Sequence, residues 1–230
     1  MPHSDSLVQA VLRVVFPPRC AACGQLSKTD FCADCVPIPI PDALDLTRRL
    51  HFTPRFTDAW AAYVYSGAGK RAVWQLKFNK MRGNARVLGT QMAEAAAAHW
   101  RGEDFDAVCA APMRLPKQKE RGYNQAELLA RVVARERGVP YRRWLIKTRD
   151  TAIQHELPLA ERTENVRGAY KAVAARGKVL LVDDVFTTGN TVNACAEVLL
   201  QAGASEVYVL CAAVVCHDES QSESRRGDNP

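Results

Sequence analysis

VLLVDDVFTTGNT, residues 179–191, decides how the chain is read. Its first four residues, Val179, Leu180, Leu181 and Val182, form an unbroken β-branched and aliphatic run. That is the pattern of a strand buried on both faces of a parallel sheet. Asp183 and Asp184 follow at its end, and then a loop of hydroxyls and glycine: Thr187, Thr188, Gly189, Asn190 and Thr191. Beyond it, Val192, Cys195, Ala196 and Leu199 share one face of a helical pattern that Gly203 stops. Such a strand, turn and helix gather backbone N–H groups, hydroxyls and the positive end of a helix around one point, which suits a phosphate. The acids need a different partner, because carboxylates repel a phosphate. Ribose hydroxyls, which donate to a carboxylate, or a bound divalent cation would both fit.

The stretch resembles the phosphoribosyl pyrophosphate (PRPP) motif of type I phosphoribosyltransferases. There, two acids hold the ribose hydroxyls and the Thr/Gly loop wraps the 5-phosphate. An ordinary strand-to-helix turn of another α/β fold is the competing reading.

At 230 residues, 47% of them apolar, the chain can bury a full core, with one main domain and room for a small appendage. No run of 18 apolar residues occurs, so no membrane span is expected. Residues 7–16 are largely apolar and read as a short amphipathic helix with Leu7, Val11, Leu12 and Val15 on one face. Arg13 interrupts them, no basic region precedes them and PPRC follows, unlike a signal peptide. The expected location is cytoplasmic. A net charge of +6 with arginines spread along the chain is weak support for an anionic partner.

Cys20, Cys23, Cys32 and Cys35 form CxxC, eight residues, CxxC. Each CxxC can place two thiolates on one metal, and two complete a tetrahedral site. A disulfide pair or a redox CxxC are the alternatives; the first is disfavoured in a cytosolic protein and the second needs only one motif. The expectation is structural Zn2+ in a module (residues 1–36) too small for its own core. Cys109, Cys195, Cys211 and Cys216 sit in apolar stretches and read as buried structural residues. A proline-rich start, VPIPIP, opens a linker over residues 37–57.

The main domain is expected over 58–216, with a disordered tail at 217–230 that carries no apolar residue. Strands are expected at 60–65, 107–113, 143–148, 169–173 and 207–215, the last closing the sheet. Helices are expected at 70–78, at 84–100, with Val87, Leu88, Met92, Ala95 and Ala96 inward, and after Asn124, with Leu128, Leu129, Val132 and Val133 inward. Asn124 with Glu127 has capping-box spacing. Gly67, Gly69 and Ala72 match GxGxxA only weakly as a dinucleotide site, and His99 reads as a surface histidine. Arg114, Lys117, Lys119 and Arg121 form a basic loop. Alternating strands and helices argue a parallel, doubly wound α/β sheet flanked by helices, with its ligand at the strands' C-terminal edge.

The tetra-cysteine module, QLKFN at 75–79, RGYNQ at 121–125, and Arg149, Gln154, Arg162 and Asn165 ahead of the DD-TTG loop stand together in this order. In that combination the chain resembles ComF-type proteins, a competence-associated family with a zinc ribbon and a phosphoribosyltransferase-like domain. The resemblance spans residues 8–216; Asn190, where the family often has a small residue, departs from it. It implies that Asp183 and Asp184 take the ribose hydroxyls and that Thr187, Thr188, Gly189, Asn190 and Thr191 surround the 5-phosphate. Arg121 and Gly122 would stand at the pyrophosphate loop, with Lys77 a further pyrophosphate contact. Arg149, Gln154, Arg162 and Asn165 would lie on a flexible closing loop. Mg2+ would accompany PRPP.

The reaction so implied is transfer of a phosphoribosyl group to an unidentified acceptor, linked to DNA uptake and competence. No Ser-His-Asp set or GxxxxGK[ST] loop is present. The rival is a module that senses PRPP or a nucleotide, with the ribbon meeting single-stranded DNA or competence-machinery proteins. The ribbon's one lysine and one aromatic, Lys28 and Phe31, make a poor stacking and phosphate surface. Acceptor specificity is expected around residues 52–80, which no motif constrains.

Overall fold

The computed structural model describes residues 18–41, 44–149 and 168–216. The expected N-terminal helix, Gln154, Arg162, Asn165 and the tail lie outside them. In chain order the elements are β1 (Asp58–Val64), α1 (Gly67–Phe78), α2 (Asn84–His99), β2 (Ala107–Ala110), α3 (Leu115–Arg121) and α4 (Gln125–Glu136). They continue with β3 (Leu145–Lys147), β4 (Tyr170–Ala172), β5 (Gly177–Phe186), α5 (Asn190–Gln201) and β6 (Ala204–Val214).

Four strands form one sheet in the order β1-β6-β5-β2, every pairing parallel. The apolar run of β5 is its centre: Val179, Leu180, Leu181 and Val182 are all fully buried, with β6 on one side and β2 on the other. This is the doubly covered parallel strand that the run predicts. β6 does not close the sheet but stands between β5 and β1, and its residues from Val207 to Val214 are buried.

Three expectations are corrected. β5 does not stop at the acids; its ladder runs on through Asp183↔Cys211, Val185↔Ala213 and Phe186↔Val214, so the carboxylates are strand residues. β3 and β4 stay out of the parallel sheet and pair with each other antiparallel, Leu145↔Ala172 to Lys147↔Tyr170. Each has only its first residue buried, the one-sided pattern of an antiparallel ribbon. The basic loop after β2 is mostly helix: Pro116 sits in the first turn of α3, where its missing N–H costs nothing, and Gly122 ends it at φ 85°. β2 is correspondingly shorter than the stretch 107–113.

Helices α2 and α4 pack against each other at Gly89. A Cβ there would come within 2.6 Å of Val132 Cβ, so the close approach of the two helices depends on its absence. Asn124 caps α4 by accepting from Ala126 N at 3.0 Å, and its Nδ2 donates to the Ala111 carbonyl at 2.9 Å. The Glu127 carboxylate is taken by Arg131 and Arg143, not by a capping box. His99 is exposed, as read for a surface histidine, and its ring stacks on Trp60 with centroids 3.8 Å apart and meets Asp58 at 3.0 Å. Cys109, Cys195 and Cys211 are fully buried, as read, whereas Cys216, just past β6, is only half-buried. The cysteine module sits on α1: buried Asn84 donates from Nδ2 to Ala21 O at 2.6 Å and to Ala72 O at 3.2 Å. Among the described residues no helix is long and apolar enough to cross a membrane.

Overpacking a fixed helix crossing costs about 1–3 kcal/mol. Gly89→Ala is therefore expected to lower the urea midpoint by that equivalent at unchanged slope, and an unaltered midpoint would refute the close-packing account.

Candidate functional site

At the C-terminal edge of the sheet, β2 and β5 end beside a cleft of about 220 Å³. Three cations line it: Arg114 ahead of α3, Lys117 within α3, and Lys147 at the end of β3. Asp183, Thr191 and Tyr170 line it too, and the ribbon of β3 and β4 brings in Lys147 and Tyr170 together. Arg114 is held in place, Nη1 donating to Thr148 O at 2.6 Å, and the Lys147 ammonium lies 5.2 Å from the centre of the Tyr170 ring.

Strand geometry separates the two acids. Successive side chains of β5 point to opposite faces, so Asp183 and Asp184 cannot both turn to the same space. Asp183 opens to the cleft. Asp184 turns the other way, is 6% exposed, and binds Lys77 Nζ at 3.0 Å through Oδ1 and Gln125 Nε2 at 2.6 Å through Oδ2. Gln125 Oε1 in turn accepts from Arg121 Nη1 at 2.7 Å, and the Arg121 guanidinium lies 5.1 Å from the centre of the Phe78 ring. Lys77 and Arg121 thus stand behind Asp184. The Gly122 carbonyl accepts from Arg82 at 3.0 Å on that same side.

Burial pushes the Asp183 carboxyl up to about 7; the Asp184 charge adds to this, while the Asp184 N–H, Lys77 and Lys147 oppose it. Burial alone would lower Lys77, but the Asp184 carboxylate more than offsets it and holds the ammonium above its ordinary value.

The loop after β5 begins with exposed Thr187. Thr188 buries its Oγ1 with no hydrogen-bond partner among the described residues. Gly189, at φ 76°, turns the chain into α5, which Asn190 begins. A Cβ on Gly189 would lie 2.7 Å from Leu50 Cδ2 and 3.4 Å from Phe52 Cζ. The segment between the cysteine module and β1 therefore covers this loop, and Arg55 N donates to Asn193 Oδ1 at 2.6 Å to hold it there. Arg149 is exposed past the end of β3.

Of the residues singled out in the sequence, Asp183 and Thr191 line the cleft, beside Lys147 and Tyr170, which no motif marked, while Leu50 and Phe52 lie over Gly189. The basic run signalled Arg114 and Lys117. Nothing local signals Lys147 or Tyr170, because their place depends on two short strands pairing across 22 residues.

The four cysteine Sγ atoms of the N-terminal module lie within 4.8 Å of one another, Cys23 and Cys32 at 3.8 Å. Thiolates at about 2.3 Å from a tetrahedral metal stand about 3.8 Å apart, so the arrangement suits one ion. Backbone turns set this spacing, with Gly24 N donating to Cys20 O and Cys35 N to Cys32 O, both at 2.9 Å. Arg71 Nη2 reaches Cys35 Sγ at 3.4 Å.

Because the folded Asp183 holds its proton up to about pH 7 whereas an unfolded carboxylate loses it near pH 4, its charging costs stability across that interval and the cost levels off above it. Asp183→Asn should consequently raise the thermal midpoint at pH 8 by roughly 3 °C or more, the gain vanishing towards pH 4. A gain equal at both pH values would contradict this assignment.

No family model matches the chain. It is 28% identical over 208 residues to the DNA utilization protein YhgH of Escherichia coli K12, covering 84% of this chain and 88% of that one. With Competence protein F of Haemophilus influenzae it shares 30% identity over 146 residues, 61% of this chain and 63% of the relative. Amidophosphoribosyltransferase of Escherichia coli is 29% identical over 171 residues, 73% of this chain but only 31% of that protein. The parallel sheet flanked by helices and the four-cysteine cluster accompany these matches: the chain is similar to YhgH over most of its length and to Competence protein F over about three fifths of it.

Proposed function

We propose that the cleft binds PRPP as its Mg2+ complex and that the protein transfers the phosphoribosyl group to an acceptor. The observation that carries this reading is the meeting of Asp183 with three cations beside the Thr188–Thr191 turn at the start of α5. In this reading Asp183 accepts from the ribose hydroxyls. The unpartnered Thr188 hydroxyl, Thr187, Thr191 and the N–H groups opening α5 hold the 5-phosphate. Arg114, Lys117 and Lys147 meet the pyrophosphate, with Arg149, Gln154, Arg162 and Asn165 further candidates. The bond from the anomeric carbon to pyrophosphate breaks as the acceptor's lone pair forms the new one. The three cations offset the charge that grows on the leaving group, and Asp183 keeps the ring in place. The Mg2+ belongs to the substrate, as is usual where pyrophosphate supplies most of the ligands.

Cys20, Cys23, Cys32 and Cys35 would hold Zn2+, which supplies folding energy to a module whose apolar cluster, among the described residues, is small: Cys20, Ala22 and Cys35 with Phe31 and Cys32 packed on them, against Ala68 of α1. Residues 18–41 then act as a ribbon seated on the transferase domain. The absence of any long apolar helix among the described residues suits a cytoplasmic protein.

The test is a calorimetric titration of Mg2+-PRPP into the wild type and Asp183→Asn, with zinc assayed on the same samples. One zinc per chain and affinity falling at least tenfold in the variant are expected, since a hydrogen bond to a charged group is worth about 1.5–3 kcal/mol. Pyrophosphate release with an added acceptor then separates an enzyme from a sensor. Zinc-loaded protein that takes up no PRPP would refute the proposal.

A second reading, binding of single-stranded DNA in DNA uptake, is favoured by α1. From residue 59 to residue 93 there is no acid, but there are Lys70, Arg71, Lys77, Lys80, Arg82 and Arg86. Trp74 and Phe78 stand exposed among them, and Arg121 stacks on Phe78. Aromatic stacking platforms within a basic surface suit single strands, at about 1–3 kcal/mol per stacked base. This surface, rather than the ribbon, is the better candidate, and competence-machinery proteins would be its neighbours. Trp74→Ala with Phe78→Ala should weaken oligothymidylate binding at least tenfold at fixed salt; unchanged binding would remove α1 from the account.

A further inference from the structure

RGYNQ ends in a glutamine to which neither the phosphate loop nor the cation set gives a task. Gln125 is 8% exposed, and a buried amide at the first turn of α4 has to be satisfied at both ends. Both ends are matched. Nε2 donates to Asp184 Oδ2 at 2.6 Å and Oε1 accepts from Arg121 Nη1 at 2.7 Å. Chemistry fixes this orientation, since a guanidinium only donates and a carboxylate only accepts. The other Asp184 oxygen meets Lys77 at 3.0 Å, so α1 and α4 hold the carboxylate from two sides. The Asp184 backbone N–H in turn donates to Asp183 Oδ1 at 2.8 Å. Asp184 is thus held through its side chain, while its N–H holds Asp183.

We propose that Gln125 is a positioning residue: anchored by Arg121, it holds Asp184 against Lys77, and the Asp184 N–H in turn holds the Asp183 carboxylate towards the ribose hydroxyls. This rests on the ribose-phosphate reading of the cleft. Glutamine suits the position as its neighbours do not. Glutamate would repel Asp184, leucine would leave an Asp184 oxygen and an Arg121 N–H unmet, and lysine would give Arg121 no acceptor. Arg121, which the sequence places at the pyrophosphate, acts in this account through Gln125.

The probes are ribose 5-phosphate and 2-deoxyribose 5-phosphate, which share the phosphate and differ by one hydroxyl. Wild-type protein should bind the first about tenfold more tightly, the worth of one hydrogen bond to a carboxylate. In Gln125→Leu this ratio should fall to about twofold while affinity for the deoxy sugar stays within about threefold, because the phosphate loop is untouched. Arg121→Ala, on the far side of Gln125, should also lower the ratio, and Arg121→Lys should restore it. Equal loss of both sugars in Gln125→Leu would make Gln125 a merely structural residue and overturn the proposal. A wild-type ratio kept in Gln125→Leu and Arg121→Ala would overturn it too, leaving the ribose-phosphate reading intact. A wild-type protein that binds neither sugar, or both alike, sinks that reading and the proposal together. Should Gln125→Leu not fold, the two Arg121 variants, changed at a half-exposed position, decide the matter.

Discussion

A carboxylate buried at the end of a central strand must be met by a cation or forced to stay protonated, because removing an unpaired charge from water costs several kcal/mol. Asp184 is met, by Lys77 at 3.0 Å. That ion pair joins the middle of the sheet to α1, and the Gln125 amide adds α4 to the same carboxylate. Such a pair does not by itself stabilise a fold much, since two desolvation costs oppose one attraction. Its consequence is specificity of place. Losing either partner leaves a buried charge, so the helices are held to one registry around Asp184.

The same constraint separates the two acids. Were both carboxylates to face the cleft, the repulsion from Asp184 that already adds to the desolvation of Asp183 would be larger. Alternation along β5 sends one acid to the lysine and leaves the other for a ligand whose hydroxyls can donate to it. Lys77 and then Lys147, the latter in the cleft, draw the Asp183 proton off more readily. A bound anion that occupied those cations would return the proton, whereas a ligand that donated to Asp183 would favour the charged form. A sugar phosphate would do both at separate atoms, so the proposed reading keeps its phosphate and ribose ends apart.

Much of this was legible in the chain. Four consecutive apolar residues announced β5, two CxxC pairs announced the cysteine cluster, and Gly189 announced a turn that needs positive φ. What escaped was whatever depended on distant pairing. β3 and β4 each have only three residues, too few for any period to declare itself, and their antiparallel pairing is what carries Lys147 and Tyr170 to Asp183. Leu50 and Phe52 looked like linker because their packing partner is a missing side chain, that of Gly189, which no hydrophobic pattern records. Arg121 was assigned to the pyrophosphate by resemblance, and only the fold reveals Gln125 between it and the nearer acid.

Helix α1 gathers these threads on its circumference. Ala72, Val73 and Leu76 are fully buried and bind it to the core, as residues three and four apart should. Ala68 and Arg71, one turn earlier, meet the cysteine module at Cys35. Lys77 reaches Asp184, and Trp74 with Phe78, also four apart, face solvent with Arg121 against the latter. A rigid helix cannot turn one of these faces without turning the others. The four-cysteine cluster, the buried acid and the exposed aromatic pair therefore all meet on one helix.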